Sequence, residues 1–150
     1  MLKAILLSMT IILIMSMEIN TRANAATPDL SRYTWKNRLL LLFAPSRSHP
    51  YYESLQQALM ERSADATDRD MVVFEILASG PSRIDGAEID SRTSHSLREK
   101  FQIPPQGFSV ILIGKDGRIK LKRGEQTNLE DIFGLIDSMP MRREEIRQRH

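Results

Sequence analysis

Three short runs of nearly unbroken apolar residues constrain this chain more than any other feature. They are RLLLLFA (Arg38–Ala44), MVVFEIL (Met71–Leu77) and FSVILI (Phe108–Ile113). A strand with one wet face alternates apolar and polar residues, whereas a strand apolar throughout must be covered on both faces. The first run stops abruptly at PSRSHP, which favours a strand over a turn of buried helix. The pattern predicts a sheet with helices packed on both sides.

The segments between the runs supply those helices. Pro50 suits a helix first turn, and Tyr52, Leu55 and Leu59 recur at helical spacing. Ser79 to Thr93, holding Gly80, Pro81 and Gly86, reads as a polar loop. A short helix is expected over Ser94–Phe101, ending before Pro104 and Pro105. Asp116-Gly117 marks a two-residue hairpin loop, leading into IKLK with Ile119 and Leu121 inward and Lys120 and Lys122 outward. A last helix is expected over Leu129–Met139. Thr127 and Glu130 form its capping box, Leu129, Ile132, Phe133 and Ile136 its apolar stripe, and Pro140 its stop.

Strands are thus expected near Leu39–Phe43, Met71–Leu77, Phe108–Ile113 and Ile119–Lys122. Strands joined through a helix run parallel and right-handed, and those joined by Asp-Gly run antiparallel. The result is an α/β, thioredoxin-like mixed sheet of order β-α-β-α-β-β-α, with helices on both faces. In that arrangement PSRSH occupies the place of the thioredoxin catalytic loop. The predicted domain covers residues 38–140. Residues 26–37 form a lead-in whose Trp35 packs on the start of the sheet, and residues 141–150 form a charged tail, helical or disordered.

Residues 1–25 read as a secretory signal peptide. Lys3 is followed by an apolar stretch from Ala4 to Met17, then by Ala23 and Ala25 in an A-x-A cleavage pattern. The stretch falls short of the roughly 20 residues that cross a bilayer as a helix. Cleavage following Ala25 would make the protein periplasmic or secreted; an uncleaved anchor is the rival reading. With 7 prolines, 7 glycines, no cysteine and a net charge of +2, the chain lacks disulfides, thiol chemistry and the basic excess of a nucleic-acid binder.

The segments YTWKNRLLLLFAP, RDMVVFEI, LREKFQI, VILIGKDGRIKL and IDSMPMRREEI resemble a domain of unknown function found in bacterial exported proteins. Related domains occur in vertebrate equarin and the sushi-repeat-containing proteins, a grouping called the DUDES domain. The resemblance implies a thioredoxin fold close to peroxiredoxins, and a peroxiredoxin-type activity has been suggested for the family. This chain departs from that chemistry, because peroxiredoxins attack peroxide with a thiolate and the loop here offers Ser46 and Ser48. Pro104 and Pro105 also stand further before the third apolar run than the proline of thioredoxins does.

Two candidate sites follow. Ser46, Arg47, Ser48 and His49 open a helix, where free backbone amides favour an anion. The structural reading has Ser48 capping the helix and Arg47 and His49 in water. A Ser–His hydrolytic pair lacks a G-x-S-x-G elbow. Lys115, Arg118, Lys120, Lys122 and Arg123 form a basic surface suited to an acidic polymer, or else a guard against edge-to-edge pairing. In IDSMPMRRE, Asp137 is expected to pair with Arg142 or Arg143 across Pro140, while Met139 and Met141 suit partner docking. His49, His95 and His150 are isolated, so neither metal nor cofactor is expected. The leading expectation is a non-catalytic binding module meeting an envelope or extracellular protein, or an acidic surface. The alternative is a peroxiredoxin-like oxidoreductase acting without its own thiol.

Overall fold

The computed structural model describes residues 28–149. The signal-peptide and cleavage-site expectations, and His150, lie outside them. The described strands are β1 (Arg38–Ala44), β2 (Met71–Leu77), β3 (Ser82–Ile84), β4 (Ala87–Ile89), β5 (Ser109–Ile113) and β6 (Ile119–Arg123). The helices are α1 (Pro50–Glu61), α2 (Ser63–Asp68), α3 (Ser91–Phe101), α4 (Leu129–Ser138) and α5 (Pro140–Arg149). A short 3-10 helix, Leu30–Tyr33, precedes β1.

The strands make one mixed sheet of order β4-β3-β2-β1-β5-β6. β1 lies at its centre, parallel to β2 and antiparallel to β5, and β5 and β6 pair antiparallel as the Asp-Gly signal requires. Period-two alternation sends successive β1 side chains to opposite faces. Leu40, Leu42 and Ala44 pack with Tyr52, Leu55 and Leu59 of α1 and with Leu129, Ile132, Phe133 and Ile136 of α4. Leu39, Leu41 and Phe43 pack with Leu97 and Phe101 of α3 on the other face. Both faces are covered, which is why the three apolar runs do not alternate.

Several local expectations need correction. The predicted loop from Ser79 to Thr93 contains the β3–β4 hairpin, turned by Asp85 and Gly86 at positive φ. The helix expected from Ser94 starts at Ser91, because the Asp90 carboxylate accepts a hydrogen bond from the Thr93 amide and caps it. The Thr127–Glu130 capping box does not form. Asn128 is the N-cap, Thr127 Oγ1 donates to the Glu125 carbonyl, and Glu130 pairs with Arg62. Trp35 is not in the core: it sits at φ 65° and is 68% exposed, with its amide donating to the Lys115 carbonyl at 2.6 Å.

The β5–β6 connection also differs from a two-residue loop. Gly117 at φ 74° donates to the Gly114 carbonyl, and Gly114 donates to the Arg118 carbonyl, which makes a three-residue loop closed by a left-handed glycine. The ladder then slips: Leu112 pairs Leu121 but Ile113 pairs Ile119, so Lys120 is extra. Such a bulge breaks the in-out alternation. Leu121 therefore faces the α1–α4 core, while Ile119 turns to the α3 face and stays 52% exposed.

Residues 140–149 form α5, docked on the body by charge. Arg142 is buried and donates to Asp137 at 3.3 Å and to the Asp68 carbonyl at 2.9 Å. The expected Asp137–Arg142 pair is thus present, and Arg69 also holds Asp137 at 2.5 Å.

Candidate functional site

The loop 45–49 leaves the carboxyl end of β1 and enters α1, the place where open α/β sheets gather ligands. Ser46 Oγ and Ser48 Oγ lie 3.0 Å apart and share a hydrogen bond. Ser48 does not cap α1. His49 is the N-cap residue, and no side chain closes the first turn. Pro50 has no N–H to satisfy, so the free donors of this helix begin at Tyr51.

His49 has a different task from the surface role expected for it. Its ring stacks on Phe108 at 4.9 Å and 6°, and Tyr51 meets both rings edge-on, at 5.4 and 5.5 Å. These geometries are the favourable ones for ring pairs. His49 Nδ1 is buried without a hydrogen-bond partner, and no hydrogen bond joins its ring to Ser46 or Ser48 among the described contacts. A Ser–His proton relay is therefore not assembled. Arg47 and Ser48 are exposed beside this aromatic cluster.

One turn into α1, Tyr52 is buried and donates its hydroxyl proton to Glu75 Oε2 at 2.9 Å. Burial first, then the Glu75 hydrogen bond and charge, hold the phenol proton well beyond its usual range; Arg47 and Arg83 act weakly the other way. Tyr52 thus ties the first turn of α1 to the sheet as a neutral donor.

The basic residues of the 115–123 segment do not gather into one open surface. Lys115 is half-buried, bonded to Asp70 at 2.8 Å and Glu145 at 2.7 Å. Lys120 pairs with Asp116 at 2.7 Å, and that contact draws the Asp116 pKa down. Lys122 donates to the Phe101 carbonyl at 3.0 Å, and Arg123 lies 3.9 Å from Asp131. Arg118 adds its charge beside Asp116. Met139 packs against the core, whereas Met141 is exposed, so the two do not form a shared docking face. His95 is exposed on α3 and lies 3.2 Å from Glu99. No group of three or more metal-ligating side chains occurs among the described residues.

Sequence reasoning missed Arg98. On α3 the buried positions are Ser94, Leu97, Arg98 and Phe101, so this arginine occupies an apolar-stripe position. Its Nη1 donates to the Pro104 carbonyl at 2.9 Å, and its Nη2 donates to the Ile76 carbonyl at 3.0 Å and to the Ala44 carbonyl. The guanidinium therefore staples the carboxyl ends of β1 and β2 beneath the candidate loop. The signal was legible: i, i+3, i+4, i+7 spacing puts Arg98 in line with Ser94, Leu97 and Phe101.

A family model described as a domain of unknown function, DUF4174, matches residues 29–145. Coiled-coil domain-containing protein 80 of Danio rerio is 28% identical over 133 residues, covering 78% of this chain and 15% of that protein. Sushi repeat-containing protein SRPX2 of Homo sapiens is 28% identical over 137 residues, covering 89% of this chain and 29% of that protein. The chain thus spans less than a third of these relatives' length. Among solved structures, a reduced 2-Cys peroxiredoxin of Plasmodium vivax superposes with a TM-score of 0.53 at 12% identity, covering 77% of this chain and 84% of that one. The fold is thioredoxin-like, of the peroxiredoxin kind, and at that identity the likeness extends to the fold alone.

Proposed function

The chain belongs to the DUF4174 family, and on that premise we propose that it is an exported, non-catalytic binding module whose ligand contact is the loop Ser46, Arg47, Ser48 and His49. The observation that carries this reading is the chemistry of the loop. The position where the fold's redox members work holds no thiol, and no proton relay replaces it. What stands there is a contact surface: the exposed side chain of Arg47, the hydroxyls of Ser46 and Ser48, and the stacked rings of His49 and Phe108 with Tyr51 edge-on to both. The first turn of α1 has no side-chain cap, which leaves its amides for an acidic group.

Export rests on the A-x-A pattern after the apolar stretch, and the intact mass of the secreted or periplasmic protein should begin at Ala26. Two measurements on the purified chain from Ala26 test the rest. Peroxide consumption and disulfide reduction should not exceed those of a heat-denatured control; activity clearly above it would overturn the non-catalytic reading. Phosphate should shift the amides of residues 46–52, more strongly at low salt, since an exposed site is screened. Arg47→Ala should weaken that response and leave the melting temperature unchanged. Shifts centred on Lys120 and Lys122 instead would place the contact on the hairpin.

A further inference from the structure

A cleft of about 550 Å3 opens between α3 and the segment that links β2 to β4. It is separate from the loop at residues 46–49. One stripe of α3 lines it, with Ser91, Ser94, His95 and Arg98 at positions i, i+3, i+4 and i+7. A polar helical stripe normally meets bulk water. Here two of its members are more than nine-tenths buried, Ser94 at 7% and Arg98 at 5% exposure.

Arg98 is a cation in want of an anion. Its three hydrogen bonds go to neutral carbonyls, the Phe43 ring lies 5.8 Å from its Cζ, its Nε has no partner, and burial pulls its proton affinity down. Burying a charge with no counter-charge is costly, and a fold tolerates it where something else is gained. A purely structural staple accounts for Nη1 and Nη2 and the Phe43 ring eases the charge, but among the described residues no carboxylate pairs with it, unlike the buried Arg38 and Arg142. The exposed rim of the same cleft carries the opposite sign, Glu88 on β4 and Asp90 at the start of α3. Asp90 is kept ionised by hydrogen bonds from Thr93. A plain dianion would be attracted by the floor and repelled by the rim.

We propose that this cleft binds a small zwitterion, a free amino acid or short peptide, with its carboxylate toward Arg98 and its ammonium toward Glu88 and Asp90. The volume suits a compact molecule of that kind. Its place beyond the carboxyl end of β2 is where sheets of this class take ligands.

Amide NMR titration of the chain from Ala26 tests the assignment with three probes: glycylglycine, acetate and methylamine. Glycylglycine should give saturable shifts at Ser82, Ser94 and Arg98, tighter than acetate by several-fold, and methylamine should give none. Glu88→Gln changes an exposed side chain and should preserve the fold. It should weaken glycylglycine several-fold without weakening acetate, which loses a repulsive neighbour and binds equally or slightly tighter. Arg98→Lys should abolish both responses, and where that variant fails to fold, Glu88→Gln alone decides. Equal affinity for acetate and glycylglycine, indifference of glycylglycine to Glu88→Gln, or no saturable shift in the cleft at tens of millimolar glycylglycine would each overturn the proposal.

Discussion

Glu145 governs the end of the sheet opposite the candidate loop. Arg38, the first residue of β1, is 1% exposed, and both of its Nη atoms donate to Glu145 at 3.1 Å. Lys115 donates to the same carboxylate. Burial alone would raise the Glu145 pKa, but hydrogen bonds and charge from Arg38 and Lys115 bring it down to about 2. A carboxyl depressed on folding stabilises the native state above its unfolded pKa of about 4.3, and that stabilisation is lost as pH falls from there toward 2. The contribution is about 3 kcal/mol above pH 5. Glu145→Gln keeps the shape and removes the charge, so it should lower the free energy of unfolding at pH 7 by about 3–5 kcal/mol. Urea titrations at pH 7 and pH 3 check this: the variant should lose less than the parent between them. Ser48→Ala makes the contrast. A capping serine would cost about 1 kcal/mol, but this hydroxyl bonds to Ser46 and caps nothing, so the change should stay within ±0.5 kcal/mol in the same experiment.

At the level of elements, legibility followed the strength of the periodic signal. β1, β2 and β5 were readable because burial on both faces leaves little room for polar residues, and α1 and α4 because their apolar stripes are long. The β3–β4 hairpin was not readable from periodicity, since strands of three residues carry no repeat; its one trace is Asp85-Gly86, the same dipeptide that marked the β5–β6 turn. The docking of α5 was hidden for another reason. Its partners Asp68 and Arg38 lie far away in sequence, and a charged helix held by ion pairs looks like a solvated one. The candidate loop was legible in position but not in detail. Phe108, on which His49 stacks, is supplied by a distant segment, and His49 itself displaced Ser48 as the N-cap. The β5–β6 turn permits a direct test. A Cβ at Gly117 would meet Thr34 Oγ1 at 3.5 Å, an ordinary contact, so Gly117→Ala is penalised by its positive φ and not by crowding. Holding alanine there should cost about 1–2 kcal/mol, read as a lower urea midpoint with an unchanged slope.

Across the whole molecule the sheet separates two kinds of chemistry. The amino end of β1 carries a dense set of ion pairs: Arg38, Lys115 and Arg142 against Asp68, Asp70, Asp137 and Glu145. The carboxyl end carries an uncapped helix, the orphan Nδ1 of His49, and Arg98, whose guanidinium meets neutral carbonyls and the Phe43 ring; buried Nε atoms without a partner occur at both ends, on Arg38 and Arg69 as on Arg98. Charges paired with carboxylates stabilise the fold, while a charge facing neutral carbonyls and an open helix N-terminus can still take a ligand, so stability and binding should be separable in this protein. The central leucines of β1 stand between the two ends and report on neither charge set; Leu41→Ala should cost about 2–5 kcal/mol as a plain core deletion. The separation itself is tested by combining changes from opposite ends. Glu145→Gln and Arg47→Ala share no partner, so their effects on unfolding free energy should add to within about 0.5 kcal/mol. Phosphate affinity should fall with Arg47→Ala and be indifferent to Glu145→Gln, both measured well below the unfolding transition. A coupling larger than about 1 kcal/mol, or loss of phosphate binding in Glu145→Gln, would mean that the central strand transmits changes from one end to the other.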